Sequence, residues 1–402
     1  MSDGARDLLA NCGAFAMAIA AAARHSRSFE AWCGPSGPAG GAGRTPDAIA
    51  SWVRDTRSRL LELLHYAPPR CDLVPDVVAR EDGGDYVRET VWFATAPWSR
   101  VPCELLIPKR PRDGRWPAPA IVALHCHGGV FRWGREKIVE PADPAADHPF
   151  LRAYRTQLYG GRGYANELAR RGYVVAVIDA FYFGERRLQY LHGRWPEPYR
   201  DEEAALEPDS EAWLALLNRV HREVQPRVAG ALFQAGATWP GIFVWDDRRT
   251  IDYLQSRPEV APDRIGCIGL SVGGYRSAFL VATDERVRAA VTVGWMCRFG
   301  DLWPVMAWPN SVGWVHYVPG LYQEFDLPDV AGLACPRPLL VIQGSRDRLF
   351  PLHGVERALA RIGAIYAQAG APDRYAGRIY DAPHQFNLAM QDEAFAWLDR
   401  WL

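Results

Sequence analysis

Gly269-Leu270-Ser271-Val272-Gly273 sets one hydroxyl among small residues. It directly follows the apolar run IGCIGL (265–270) and directly precedes an alanine- and leucine-containing helical pattern. A tight strand-to-helix turn of this kind lifts a serine side chain out above a sheet. It also sets the next backbone N–H, that of Val272, at a helix N-terminus, aimed where an oxyanion would form. A serine hydroxyl is a weak nucleophile unless a base, itself oriented by a third group, takes its proton. Two later strand ends supply those residue types in the chain order Ser, Asp, His. LLVIQGSRDRLFP ends a buried strand in a polar loop holding Asp347, and GRIYDAPHQFN ends another in a loop holding His384. Asp347 would then fix the imidazole tautomer and His384 would take the Ser271 proton. The rivals are Asp301 for the acid, His353 at a helix start, and Asp381 in the histidine's own loop.

A second N–H must help Val272 hold an oxyanion. In LHCHGGVF (124–131), Gly129 is the first choice of donor and Gly128 the second, because glycines let a backbone face a substrate oxygen at close range. His125, Cys126 and His127 invite a metal reading, but adjacent residues point different ways in an extended chain and no second ligand cluster accompanies them. No metal is therefore expected, and one of these histidines is expected to brace the loop. His127, Tyr182, Glu185, Arg186 and Trp295 follow strand ends and are candidate substrate contacts. For Glu185 and Arg186 the alternative is an ion pair that shapes the loop. For Trp295 it is core packing.

These side chains need a sheet to converge on. From Tyr86 the chain reads as strands: YVRETVWFAT and VPCELLIP, then PAIVALH, YVVAVIDA (173–180), IGCIGL, AAVTVGW (289–295) and PLLVIQG (338–344). The later runs are short and almost wholly apolar, as in parallel strands buried on both faces. GYANELARRG (163–172) and DRRTIDYLQSR (247–257) are two of the helical crossovers. Residues 1–84 read as a helical extension with a Gly/Pro-rich break at 35–47 and apolar spacing over Pro46–Leu64. Residues 85–402 form the main domain. Two long segments near 181–245 and 297–325 follow strand ends and read as cap-like excursions over the crevice of the sheet. The second is crowded with Trp303, Trp308, Trp314, Tyr317 and Tyr322.

The 402 residues are 49% hydrophobic and 23% charged, ordinary for a chain with a sizeable core. A formal net charge of −1 gives no field to recruit nucleic acid or an anionic membrane. Cys12–Ala23 is apolar but too short to span a bilayer. Asp3 and Asp7 stand where a secretory leader would be basic, so a buried helix is expected there. Eight cysteines without a CxxC pair suit a reducing, cytoplasmic setting. A homo-oligomer is compatible with all of this.

Taken together, these motifs resemble the α/β-hydrolase superfamily, in particular its acetyl-xylan-esterase-like and dienelactone-hydrolase-like serine esterases. The resemblance rests on LHCHGGVFRWGREKIVE (124–140), VVAVIDAFYFGERR (174–187), residues 263–296 around the serine, residues 318–351 around Asp347, and APHQF (382–386). His127-Gly128-Gly129 is similar to the His-Gly-Gly loop of esterases. The resemblance covers roughly residues 85–402. It implies an α/β-hydrolase fold, a mostly parallel central sheet with helices on both faces. It also implies Ser271, Asp347 and His384 as nucleophile, acid and base, and no cofactor. Cys126 and the charged, aromatic 181–245 segment depart from the pattern. The expected activity is hydrolysis of a small-molecule carboxylic ester, bulky or aromatic, through an acyl-enzyme. The same triad would also serve an acyltransferase, lactonase or amidase, and a binding module that has lost catalysis is the non-enzymatic alternative.

Overall fold

The computed structural model describes residues 21–34, 37, 45–189, 195, 197–306 and 313–402, with the backbone alone for 303–306. Most of Cys12–Ala23, most of the Gly/Pro-rich break, Trp308 and the Trp303 side chain thus lie outside what is described. Among the described residues nine strands form one sheet in the order β1-β2-β3-β5-β4-β6-β7-β8-β9. β1 (Asp76–Asp82), β2 (Tyr86–Ala96) and β3 (Ser99–Pro108) are an antiparallel meander, and β3 joins β5 (Val174–Ile178) antiparallel. From β5 the sheet is parallel through β4 (Ala118–Leu124), β6 (Val260–Leu270), β7 (Val287–Val293), β8 (Leu339–Gly344) and β9 (Tyr375–Tyr380).

The apolar runs of the sequence exist because both faces are covered. In β4, Ala118, Ala120, Val122 and Leu124 enter one core cluster while Ile121 and Ala123 enter the other. Alternation of side chains across the strand divides one hydrophobic run between two cores. Helices labelled here are α1 (Pro46–Leu63), α2 (Tyr164–Arg170), α3 (Glu211–Gln234), α4 (Trp239–Gln255), α5 (Val272–Thr283), α6 (Leu352–Gln368) and α7 (Leu388–Trp401). No helix among the described residues is long and apolar enough to cross a membrane.

The sheet begins before residue 85, inside the stretch read as a helical extension. β1 is exposed along its whole length and carries the polar run DVVARED, so it has no burial pattern to betray a strand; ladder bonds to β2 define it. The helix expected after the Pro/Gly break is α1. Thr45 caps it by accepting from Ala48 N–H, and Pro46 starts it with a φ already suited to a helix. Its apolar stripe buries Ile49, Trp52, Val53, Leu60 and Leu63 in the same core as the central strands. Trp52 is fully buried, packs edge-on to Phe29 at 5.1 Å, and donates its indole N–H to Arg27 O at 3.0 Å.

Both excursions reach the carboxyl ends of the strands. Asn218 of α3 accepts from Phe131 N–H at 3.0 Å, in the loop after β4. The Tyr275 hydroxyl, one turn into α5, donates to His316 O at 3.4 Å. Because α1 belongs to the core, Trp52→Ala is expected to lower unfolding free energy by about 3–5 kcal/mol in equilibrium urea denaturation. Unchanged stability would show that the N-terminal region is an appendage.

Candidate active site

The serine turn is tight because the residues around it have no side chains to obstruct it. Ser271 has φ 60° and ψ −122°, a conformation that non-glycine residues avoid. Its N–H donates to Val293 O of β7 at 2.8 Å, and its carbonyl accepts from Tyr275 N–H at 2.8 Å to start α5. A Cβ on Gly273 would lie 2.0 Å from Leu124 O, and one on Gly269 would lie 2.4 Å from the Gly273 carbonyl carbon. The glycines therefore let α5 rise directly from the sheet between β4 and β7.

The Asp347 and His384 loops are tied to each other. Ser345 N–H donates to Tyr380 O at 2.8 Å and Arg346 N–H to Ala382 O at 3.0 Å. Gly344 is required between them, since a Cβ there would lie 2.3 Å from Ala382 O. His384 Nδ1 then meets Asp347 Oδ2 at 2.5 Å, while Asp347 Oδ1 accepts from Leu349 N–H at 2.9 Å. The Asp347 side chain is 1% exposed and that of His384 is 21% exposed, so the acid is sealed and the imidazole reaches the surface of the site. The His384 ring lies against Gly294, where a Cβ would be 3.2 Å from Cε1. Val293, one residue earlier, holds the Ser271 N–H. The Ser271 backbone and the His384 ring are thus both set against the end of β7. The rivals are engaged elsewhere. Asp301 bonds Arg357 at 3.0 Å and faces His353 at 3.6 Å, and exposed Asp381 bonds Arg346 at 2.7 Å.

In the loop after β4, fully buried His125 is the brace. Its Nδ1 donates to Cys126 O and its Nε2 accepts Ala180 N–H, both at 3.0 Å. His127 Nδ1 accepts Gly129 N–H at 2.9 Å, and its Nε2 faces the Gln225 amide of α3 at 3.2 Å. This revises the expectation for Gly129: its N–H is committed to a ring two residues back. Gly128 N–H has no partner among the described residues. Gly128 has φ 56°, and a Cβ on it would lie 1.7 Å from the Tyr154 hydroxyl. Cys126, with its Sγ 2.8 Å from that hydroxyl, points into the core.

Three of the other candidate contacts turn inward. Tyr182 is buried, donates to His221 O at 3.0 Å and packs on Phe131 and Trp239. Glu185 and Arg186 do not pair with each other. Glu185 bonds Arg135, which also holds Asp179 at 2.6 Å and Glu104 at 3.1 Å. Arg186 bonds Asp246 at 2.8 Å and Asp179 O at 3.1 Å. Arg135 thereby ties the loop after β4 to the loop after β5. Trp295 is 3% exposed and sits beside the site, ringed by Tyr275, His316 and Phe350 at 5.1–5.4 Å. Phe350 in turn stacks on His384. Sequence reasoning missed three residues here: Gln225, His316 and Lys137. Lys137 is a buried lysine that donates to Cys126 O and His127 O.

Burial holds His125 well below the usual imidazole range, with the nearby Lys137 charge adding to the effect. The unfolded chain takes up a proton near pH 6.5 that the folded state refuses, so stability is full above that pH and declines as pH falls below it. The slope is about 1.4 kcal/mol per pH unit from this residue. His316, pushed down to about 3, and His221, pushed down to about 4, act in the same direction, each chiefly through burial. In urea titrations from pH 7 to 5, His125→Gln is expected to be less stable at pH 7 but to decline less steeply than wild type. Parallel declines would remove His125 from this account.

Residues 210–391 match the model of a family described as an Abhydrolase family. YtaP of Bacillus subtilis strain 168, named as a candidate hydrolase, is 26% identical over 350 residues, which span 87% of this chain and 99% of YtaP. Among solved structures, a candidate acetyl xylan esterase from Bacteroides fragilis aligns with a TM-score of 0.65 at 19% identity, over 91% of this chain and 81% of that one. A glucuronoyl esterase from Solibacter usitatus aligns with a TM-score of 0.56 at 16% identity, over 87% of this chain and 93% of that one. At these identities the structures speak to fold. Strand order, the serine turn and the family match agree on an α/β-hydrolase fold.

Proposed function

We propose that this protein is a serine hydrolase of carboxylic esters, with Ser271 as nucleophile, His384 as base and Asp347 as the group that orients it. The observation that carries the reading is the Asp347–His384 bond at 2.5 Å, set beside Gly294, the neighbour of Val293 on which the Ser271 turn is anchored. With Nδ1 held by the carboxylate, His384 Nε2 is the nitrogen left to take the hydroxyl proton. Ser271 Oγ attacks the ester carbonyl, and the oxygen's new charge falls to the N–H groups of Val272 and Gly128. His384 returns the proton to the leaving alcohol. It then takes a proton from water as the water oxygen attacks the acyl-enzyme, and hands that proton to Ser271 Oγ as the ester bond breaks and the acid leaves. No step requires a cofactor or a metal.

The names of the aligned structures support an ester over an amide. The surroundings of the serine support a hydroxylated, bulky ester. Trp295 Nε1 is buried without a partner among the described residues, and it stands next to buried His316, whose ring finds the backbone of Gly313. Buried polar groups of this kind are expected to be met by water or by polar ligand atoms. Aromatic Trp295 and Phe350 would supply the apolar part of the wall. Cys71, Cys103, Cys126, Cys267, Cys297 and Cys335 carry free thiols, which supports a reducing, cytoplasmic setting.

On a panel running from small acetates through acetylated sugars to bulky aryl esters, the hydroxylated bulky members are expected to give the highest kcat/KM. Ser271→Ala is expected to lower kcat by about 10⁴-fold or more. Equal hydrolysis by the variant would sink the mechanism. Transfer of the acyl group to added alcohol or amine, outrunning release of the acid, would make the enzyme a transferase.

A further inference from the structure

Lys137 is fully buried, yet no carboxylate lies within salt-bridge distance of it among the described residues. Its ammonium donates to Cys126 O at 3.1 Å and His127 O at 3.0 Å, and it lies 4.5 Å from the centre of the Phe183 ring. Asp179 and Glu136 reach it only through space. A buried cation without a counter-ion is costly to keep, and such groups gather where function demands them.

The two carbonyls it holds belong to consecutive trans peptides. In a trans peptide the C=O and the following N–H point in opposite directions. Holding Cys126 O and His127 O inward therefore turns the N–H groups of His127 and Gly128 outward. Neither N–H has a partner among the described residues, and Gly128 is exposed. Successive N–H groups presented in this way make a concavity for an anion. The loop leaves β4 hard against the first turn of α5, since a Cβ on Gly273 would lie 2.0 Å from Leu124 O and 3.0 Å from His125 O. The loop that carries the donors at 127 and 128 therefore starts beside the first turn of α5.

We infer that Lys137 is a positioning residue of the oxyanion hole: it fixes the peptides that present the His127 and Gly128 N–H groups to the substrate oxygen. The inference rests on the ester-hydrolase reading above. Its positive charge also polarises both peptides, which strengthens their N–H groups as donors. Burial pushes its pKa down to about 8, so it stays largely charged at neutral pH.

The test compares wild type with Lys137→Met and Lys137→Gln in the full chain, using the best ester of the panel and a boronic acid that forms a tetrahedral adduct on serine. Lys137→Met is expected to lower kcat by roughly 10- to 100-fold with KM little changed, and to weaken boronic acid binding in step with kcat/KM. Lys137→Gln, which keeps an N–H donor, is expected to recover part of the loss. A variant that folds and keeps wild-type kcat, or that raises KM alone, overturns the inference. Wild-type activity that depends on Ser271 would leave the hydrolase reading standing in that case. A wild type with no activity on any ester would sink that reading instead. If neither variant folds, the crystal structure of phosphonylated wild type decides. A phosphonyl oxygen bonded to the His127 or Gly128 N–H supports the inference, and one bonded to Gly129 N–H or to a side chain refutes it.

Discussion

The backbone of Ser271 is held at φ 60° by one hydrogen bond to β7 and by the first turn of α5. Conformations of this kind cost on the order of 1–3 kcal/mol and persist only where surrounding structure over-determines them. Here the surroundings are backbone: Leu124 O on one side, Val293 O on the other, with glycines at 269, 273 and 274 so that no Cβ intervenes. Every other part of the site is placed relative to that turn. β4 brings the loop with His125–Gly129 to one side of it, and β7 brings Gly294, against which His384 rests. The sheet register therefore fixes the site more than any single side-chain contact does.

Around this turn the loops are tied by buried polar bonds, each with a definite partner. His125 joins the loop after β4 to the start of the loop after β5. Arg135 joins Glu104 of β3, Asp179 and Glu185 into one ionic group beneath the same loops. Gly344 lets the Asp347 loop lie on the His384 loop. Buried networks of this sort confer order when all members are satisfied. Trp295 Nε1, beside the site, is one of the buried polar atoms left without a partner among the described residues.

The central parallel strands were legible because burial on both faces leaves unbroken apolar runs, and Ser271 and Asp347 each follow such a run, whereas His384 follows the half-exposed β9 and was read from its place in the chain order. β1 was not, because a fully exposed edge strand need not be apolar anywhere. The Gly129 expectation failed for a local reason: His127 folds its ring back onto that N–H, and nothing in a His-Gly-Gly spelling distinguishes this from an open loop. Tyr182, Glu185 and Arg186 follow a strand end as pocket residues do, but their partners His221, Arg135 and Asp246 are 39 to 60 positions away or on other elements, beyond the reach of local pattern. Lys137 gave only a faint signal, one lysine in front of an apolar Ile-Val pair.

Covalent labelling by a fluorophosphonate, read by intact mass and peptide mapping, tests the central claim most directly. A single adduct is expected on the Ser271 peptide of the wild type, absent from Ser271→Ala. A folded wild type that takes up no label, or carries it on another residue, would mean that the turn is architecture and that the nucleophile lies elsewhere or does not exist.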